Sequence, residues 1–239
     1  MFVIENKVFF NNGKGIFTVS KNLGALSSTS YSTELGDFDN DGLIDIYVNN
    51  GGLADTLIND VIDIPIFVQF YIAIEPDVNK LFRNNGDLTL TESASNYNLD
   101  DKGYSTHASF FDYDKDGDLD VYILNNSYQA IGSFNLTKNE RPKRDLLGGD
   151  KLLENVEGVF KDVSEESNIY GSVIGFGLGV TVGDTNGDGW EDIFVSNDFF
   201  ERDYLYINNR DGTFIEDLTN QMKSISGASM GADLADIDN

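Results

Sequence analysis

The sequence predicts an all-β fold: a β-propeller of four-stranded antiparallel blades, present as an incomplete arc of about three whole blades plus partial blades at both ends. Three observations predict it. An Asp/Gly-rich motif opens at Asp37, Asp112 and Asp184, and begins once more at Asp236. Between its copies stands a hairpin signature, apolar residues on both sides of an Asn/Gly turn. No stretch sustains the 3.6-residue periodicity that a helical repeat needs.

The elements follow in chain order. Residues 1–20 hold only the third and fourth strands of a blade, around Val8-Phe-Phe-Asn-Asn-Gly13. Residues 30–93 form a whole blade: a strand, the loop Asp37-Phe-Asp39-Asn-Asp41-Gly-Leu43-Ile-Asp45, a second strand and the hairpin Lys80-Leu-Phe-Arg-Asn-Asn-Gly86. Residues 105–163 repeat it with the strand Ala108–Phe111, the loop Asp112-Tyr-Asp114-Lys-Asp116-Gly-Asp118-Leu-Asp120, a strand to Leu124 and a hairpin at Lys151–Gly158. Residues 176–219 carry the loop Asp184-Thr-Asn186-Gly-Asp188-Gly-Trp190-Glu-Asp192 and a hairpin at Tyr204–Gly212. Residues 228–239 start a further blade, with Asp236 and Asp238 opening a truncated loop. This register of the ends predicts a chain cut from a longer protein. Extra residues stand between the second and third strands of the first two blades, at 51–79 and 127–150.

Composition narrows the function. The 239 residues carry 41 Asp+Glu against 16 Lys+Arg, a net charge of -25 that repels nucleic acid and anionic membrane. Of the acids, 29 are Asp and 12 Glu, and the shorter carboxylate suits tight turns and metal loops. There is no cysteine, so disulfides, thiolate metal sites and cysteine nucleophiles are excluded. His107 is the one histidine, which excludes a multi-histidine metal centre. The longest apolar run, Ile64 to Ile74, contains Pro65 and Gln69 and is far short of the ~20 residues of a membrane span. The first residues lack the basic start of a signal peptide.

The loop motif carries the chemistry. Side-chain oxygens at its first, third and fifth positions, a glycine at the sixth and a backbone carbonyl at the seventh open a calcium loop. The candidate ligands are Asp37, Asp39, Asp41, Leu43 and Asp45; Asp112, Asp114, Asp116, Asp118 and Asp120; Asp184, Asn186, Asp188, Trp190 and Asp192; and Asp236 with Asp238 in the truncated copy. Leu43, Asp118 and Trp190 enter through their backbone carbonyls. The twelfth position, acidic in an EF-hand, is Val48, Ile123 or Val195 here, and the ninth is acidic instead. Strand-like alternation follows, so the motif is a loop between strands and not a helix-loop-helix. Hard oxygens on a flexible loop favour Ca²⁺ over transition metals and Mg²⁺. The expected cofactor is therefore Ca²⁺ in three complete loops, with a structural role.

These loops, with Phe176-Gly-Leu-Gly-Val-Thr-Val-Gly-Asp184 leading into the third and Ser229-Met-Gly-Ala-Asp-Leu-Ala-Asp236 into the fourth, resemble the FG-GAP/VCBS repeats. That family includes the propeller of integrin α subunits, and the chain is most similar to secreted bacterial proteins related to cartilage acidic protein. Ser32-Thr-Glu-Leu-Gly and His107-Ala-Ser-Phe-Phe depart from the Phe-Gly lead-in. The resemblance implies a seven-bladed ring, extracellular calcium, and adhesion or ligand binding.

The expected function is a calcium-stabilised, non-catalytic extracellular or cell-surface module for a protein or glycan partner. Nucleic acid and membrane insertion are not expected. Extracellular calcium loops bind at ~10⁻⁴–10⁻³ M and would fill only outside the cell. Meander topology puts the insertions and inter-blade links on the face opposite the acidic loops, where a partner is expected. Val61 to Ile74 reads as an added strand or a partner patch. Lys138, Arg141, Lys143 and Arg144 read as a solvated loop or an anchor for an acidic partner. His107 has no nucleophile motif near it and reads as a structural blade residue. The alternative is the propeller domain of a secreted polysaccharide-degrading lyase or hydrolase. Asn125-Asn-Ser127 and Asn135-Leu-Thr137 match the glycosylation triplet.

Overall fold

Short apolar segments between Asp/Gly turns satisfy their backbone groups by pairing with the next segment, and an up-and-down meander results. The computed structural model describes residues 8–20, 32–50, 78–127, 129, 132 and 137–235. The run Val61–Ile74, Asn135, Asp236 and Asp238 lie outside them. The chain divides into two units, Met1–Lys102 and Gly103–Asn239.

In the first unit β1 (Phe9–Asn11) and β2 (Phe17–Val19) form a hairpin. A four-stranded antiparallel sheet follows, in the order β3 (Ser32–Gly36), β4 (Asp45–Asn49), β5 (Lys80–Asn84) and β6 (Leu90–Glu92). Ile46, Val48, Phe82 and Leu90 form its core, and Val8 and Phe10 of the hairpin pack against them.

The second unit holds two such sheets. One runs β7 (Ser105–Phe111), β8 (Asp120–Asn125), β9 (Lys151–Val156), β10 (Val159–Asp162). The other runs β11 (Gly177–Gly183), β12 (Asp192–Asn197), β13 (Tyr204–Asn208), β14 (Phe214–Glu216). The architecture is thus all-β, with the four-stranded antiparallel blades of an incomplete propeller. Tyr122, Leu124 and Leu152 of one sheet meet Ile193, Tyr204 and Tyr206 of the other in a single core. Each of the aliphatic side chains among them, fully buried, stabilises by roughly 1.5–3 kcal/mol.

The second strand of every four-stranded sheet is buried along its whole length. Both of its faces are covered, which is why it is apolar at consecutive residues and does not alternate. The Phe-Gly lead-in has a packing cause. A Cβ at Gly177 would lie 2.2 Å from Leu124 Cδ1 of the neighbouring sheet, so only glycine lets β11 approach β8. His107 Nδ1 accepts the Val180 N–H at 3.2 Å and ties β7 to β11.

In each sheet the turn between the first two strands lies at the same end as the turn between the last two. The β8–β9 and β12–β13 connections of the second unit lie at the opposite end. There, residues 143–145 are laid across the link before β11: Asp145 N–H reaches Gly171 O at 2.8 Å and Val173 N–H reaches Lys143 O at 2.9 Å. Arg144 donates to Ile169 O at 2.7 Å, and Arg141 pairs with the buried Glu201 at 2.7 Å. Two of the four basic residues that read as solvated are therefore internal fastenings. Asn125 is fully buried, so its triplet cannot accept a glycan as folded.

Candidate metal centre

All three acidic loops share one hydrogen-bond frame. The sixth-position glycine donates its N–H to the first-position aspartate: Gly42 to Asp37 at 2.8 Å, Gly117 to Asp112 at 3.1 Å, Gly189 to Asp184 at 2.7 Å. These glycines have φ of 85°, 99° and 86°, left-handed values that side chains rarely adopt. The seventh-position N–H returns to the fifth-position carboxylate: Leu43 to Asp41 at 2.9 Å, Asp118 to Asp116 at 2.9 Å, Trp190 to Asp188 at 2.8 Å. This turn leaves the backbone carbonyls of Leu43, Asp118 and Trp190 free of the N–H bond that closes it, as candidate oxygen ligands.

The ninth aspartate is the anchor. Asp45, Asp120 and Asp192 are each buried to 1% exposure or less. One oxygen accepts the second-position N–H: Phe38 at 3.4 Å, Tyr113 at 3.2 Å, Thr185 at 3.0 Å. The other accepts the N–H of an asparagine on the third strand: Asn84 at 2.8 Å, Asn155 at 2.8 Å, Asn208 at 2.9 Å. The same asparagine donates its side-chain N–H to the eighth-position carbonyl, at 3.1 Å to Ile44, 3.2 Å to Leu119 and 3.3 Å to Glu191. Its side-chain oxygen caps its own hairpin, at Gly86, Gly158 and Arg210 N–H. One asparagine thus joins each loop to the hairpin beside it. The sequence reading treated these asparagines as turn residues. Their constant place, four residues after Lys80, Lys151 and Tyr204, was the available signal.

The acids converge unequally. Asp37, Asp39 and Asp45 bring one oxygen each to within 4.8 Å of one another, as do Asp112, Asp114 and Asp116. Asp41 and Asp120 stand beside these trios and outside them. Asp184, Asp188 and Asp192 form no such group among the described residues. Asp39 Oδ1 and Asp112 Oδ1 are buried and have no hydrogen-bond partner among the described residues. A buried carboxylate oxygen without a donor is costly, and a hard cation would complete it. The first two loops therefore fit a metal ion.

Electrostatics says the same. Burial raises the Asp45 carboxyl above its ordinary range, and the Asp39 and Asp41 charges add to it. Burial pushes Asp120 up to about 7, with Asp114 and Asp116 contributing. Asp114 is raised chiefly by burial. For Asp184 and Asp188 of the third loop the direction reverses. The Gly189 N–H leads in holding Asp184 low, and the Arg210 guanidinium does so for Asp188. Loops two and three adjoin, since Lys115 lies 4.7 Å over the Trp190 ring and Asn208 Nδ2 reaches Tyr113 O at 2.9 Å.

Four-stranded blades with acidic loops between their first two strands define a class of repeat protein. An FG-GAP-like repeat model matches residues 5–48, 68–123 and 184–239, more than half of the chain, and the chain belongs to that family. No curated protein matches the chain. Among solved structures it is similar to a lectin of Agrocybe aegerita described for recognition of non-reducing terminal N-acetylglucosamine. The identity is 18% and the TM-score 0.31, over 87% of this chain and 59% of that one. The chain thus spans less than two thirds of that structure's length.

Proposed function

We propose that this protein is a calcium-stabilised, non-catalytic extracellular or cell-surface module that binds a protein or glycan partner at the ends of its blades opposite the acidic loops. The observation that carries the calcium reading is the pair of acid trios, each with one buried carboxylate oxygen lacking a donor. Asp37, Asp39 and Asp45 hold one ion and Asp112, Asp114 and Asp116 another, with the Leu43 and Asp118 carbonyls available to each. The ion supplies positive charge where like charges otherwise repel, and so holds the second strand against the first. Extracellular calcium is concentrated enough to fill loops of ~10⁻⁴–10⁻³ M affinity. The Val180 N–H on His107 Nδ1 supports a structural histidine and a non-catalytic module.

A feature at the opposite end supports the partner face. Phe199 is 63% exposed with φ of 59°, a left-handed conformation that is strained for a bulky residue, and it stacks edge-on against Phe176 at 4.6 Å. Strain of this kind concentrates at binding sites. Thermal unfolding in millimolar calcium and in excess chelator tests the calcium reading. A clear rise in Tm with calcium is expected, and equal values would overturn it.

A further inference from the structure

The three loops share a backbone frame but differ in what balances their charge, and the difference is graded. The second loop has five aspartates in nine residues, and where the first sheet has Arg83 on its third strand the second has Glu154. Among the described residues, Asp112 accepts the Gly117 N–H alone, at 3.1 Å, and its other oxygen is buried without a partner. The first loop has Arg83 on Asp39 and Asp41, at 3.2 Å from Asp41. Yet Asp39 keeps one buried oxygen without a donor, and the trio with Asp37 and Asp45 stays assembled. The guanidinium therefore braces this loop from one side and leaves its interior to an ion.

The third loop keeps the frame, including the fifth-position N–H on the third side chain that the second loop also has (Asp116 to Asp114 at 3.2 Å), but differs in its donor types and its counter-cation. Asn186 takes the place of the third-position carboxylate, and its Oδ1 is occupied by the Asp188 N–H at 2.9 Å. Asp184 accepts three backbone N–H groups, from Gly187 at 2.7 Å, Asp188 at 3.1 Å and Gly189 at 2.7 Å. Arg210 grips Asp188 Oδ2 through Nε at 3.2 Å and Nη2 at 2.8 Å. Lys115 adds a second cation over Trp190. No carboxylate oxygen of this loop is both buried and unpartnered among the described residues. Donors that a metal would replace are already in place.

We infer that the third loop is built to stand without a metal, with the Arg210 guanidinium as its permanent counter-cation, while the first two loops hold the ions. This rests on the calcium reading above and goes beyond it by assigning the sites unequally. A guanidinium fixed to the chain does the neutralising, so this loop is indifferent to calcium concentration where its neighbours are not.

Equilibrium dialysis against radioactive calcium, on the full chain and on Asp114→Asn and Asp188→Asn, tests the inference. Each substitution keeps the side chain's shape and its acceptor oxygen. Asp114→Asn is expected to bind one ion fewer than the unaltered chain, and Asp188→Asn the same number. A loss of one ion in Asp188→Asn overturns the inference and leaves the calcium reading intact. An unaltered chain that binds no calcium overturns both. As a second measurement, Arg210→Ala combined with Asn186→Asp is expected to gain one ion, and no gain counts against Arg210 as the substitute cation.

Discussion

The two ends of each blade are fastened by the same kind of bond, yet only one end is uniform. At the loop end, a buried aspartate and a third-strand asparagine make the same contacts in all three sheets. At the opposite end, the last residue of the second-strand motif meets the residue that opens the third strand. Asn50 N–H meets Asn79 at 2.9 Å, Asn125 meets Asp150 at 3.0 Å and Asn197 meets Asp203 at 2.9 Å. The third member of each group differs. Asn79 Nδ2 donates to Tyr47 Oη at 2.9 Å, whereas Tyr122 Oη donates to Asp150 at 2.8 Å. Phe194 takes the tyrosine's place in the last sheet, and Ser229 donates to Asp203 at 2.8 Å. An amide can give a proton to tyrosine and a carboxylate can only take one, so the hydroxyl's direction follows the acceptor. A nine-residue loop permits one bonding pattern. The far end has only to pin a connection of variable length, so each sheet finds its own third partner.

This contrast ranks the expected effects of substitution. Asp120→Ala leaves the Asn155 and Tyr113 N–H groups buried without acceptors, at a cost of about 3–5 kcal/mol. The urea midpoint in chelator measures it, and a cost below that of the far-end variants would remove the loop end's special place. Asp150→Ala strips an acceptor from Asn125 N–H and Tyr122 Oη and should cost about 2–4 kcal/mol in the same assay.

The next effect is on pH. Burial pushes Asp150 up to about 7 from an ordinary 3.8, against the opposing pull of Asn125 N–H, Tyr122 Oη and Arg144. The fold holds the proton more tightly than the unfolded chain does. This contribution is complete below about 4 and is lost as pH rises through 7, by about 1.4 kcal/mol per unit at most. Asp120, also pushed up to about 7, acts in the same direction. Stability in chelator should therefore fall between pH 4 and 7, and Asp150→Asn should remove a measurable part of the slope. A slope that Asp150→Asn leaves unchanged would show that Asp150 does not hold the proton.

The smallest effect is the stability cost of Asp150→Asn at low pH, expected below about 1 kcal/mol. The first sheet already uses Asn79 in this place, with Nδ2 donating to Tyr47 Oη. A cost matching that of Asp150→Ala would break the equivalence of the two sheets.

Much of the fold was legible because it is written locally. The strands from Asp45, Asp120 and Asp192, the hairpins near Gly86, Gly158 and Gly212, and the loops between them all follow from turn residues and strand patterning a few positions apart. The asparagines at 50, 125 and 197 stand at a constant distance after the ninth aspartate, but the sequence reading gave them no structural role, because their partners at 79, 150 and 203 sit at unequal separations. Arg144 read as a surface cation because sequence cannot show that Ile169 O waits for it.

From the order of residues alone come the blade, its acidic loops and the oxygen chemistry they offer, since turn geometry and strand pairing act over short stretches of chain. Which oxygens converge came only with folding. Arg83 meets Asp41 across 42 residues, Arg210 meets Asp188 across 22, and Asn208 meets Tyr113 across 95. Charge balance at a loop depends on side chains delivered from other strands, and their delivery is a property of the packed sheets.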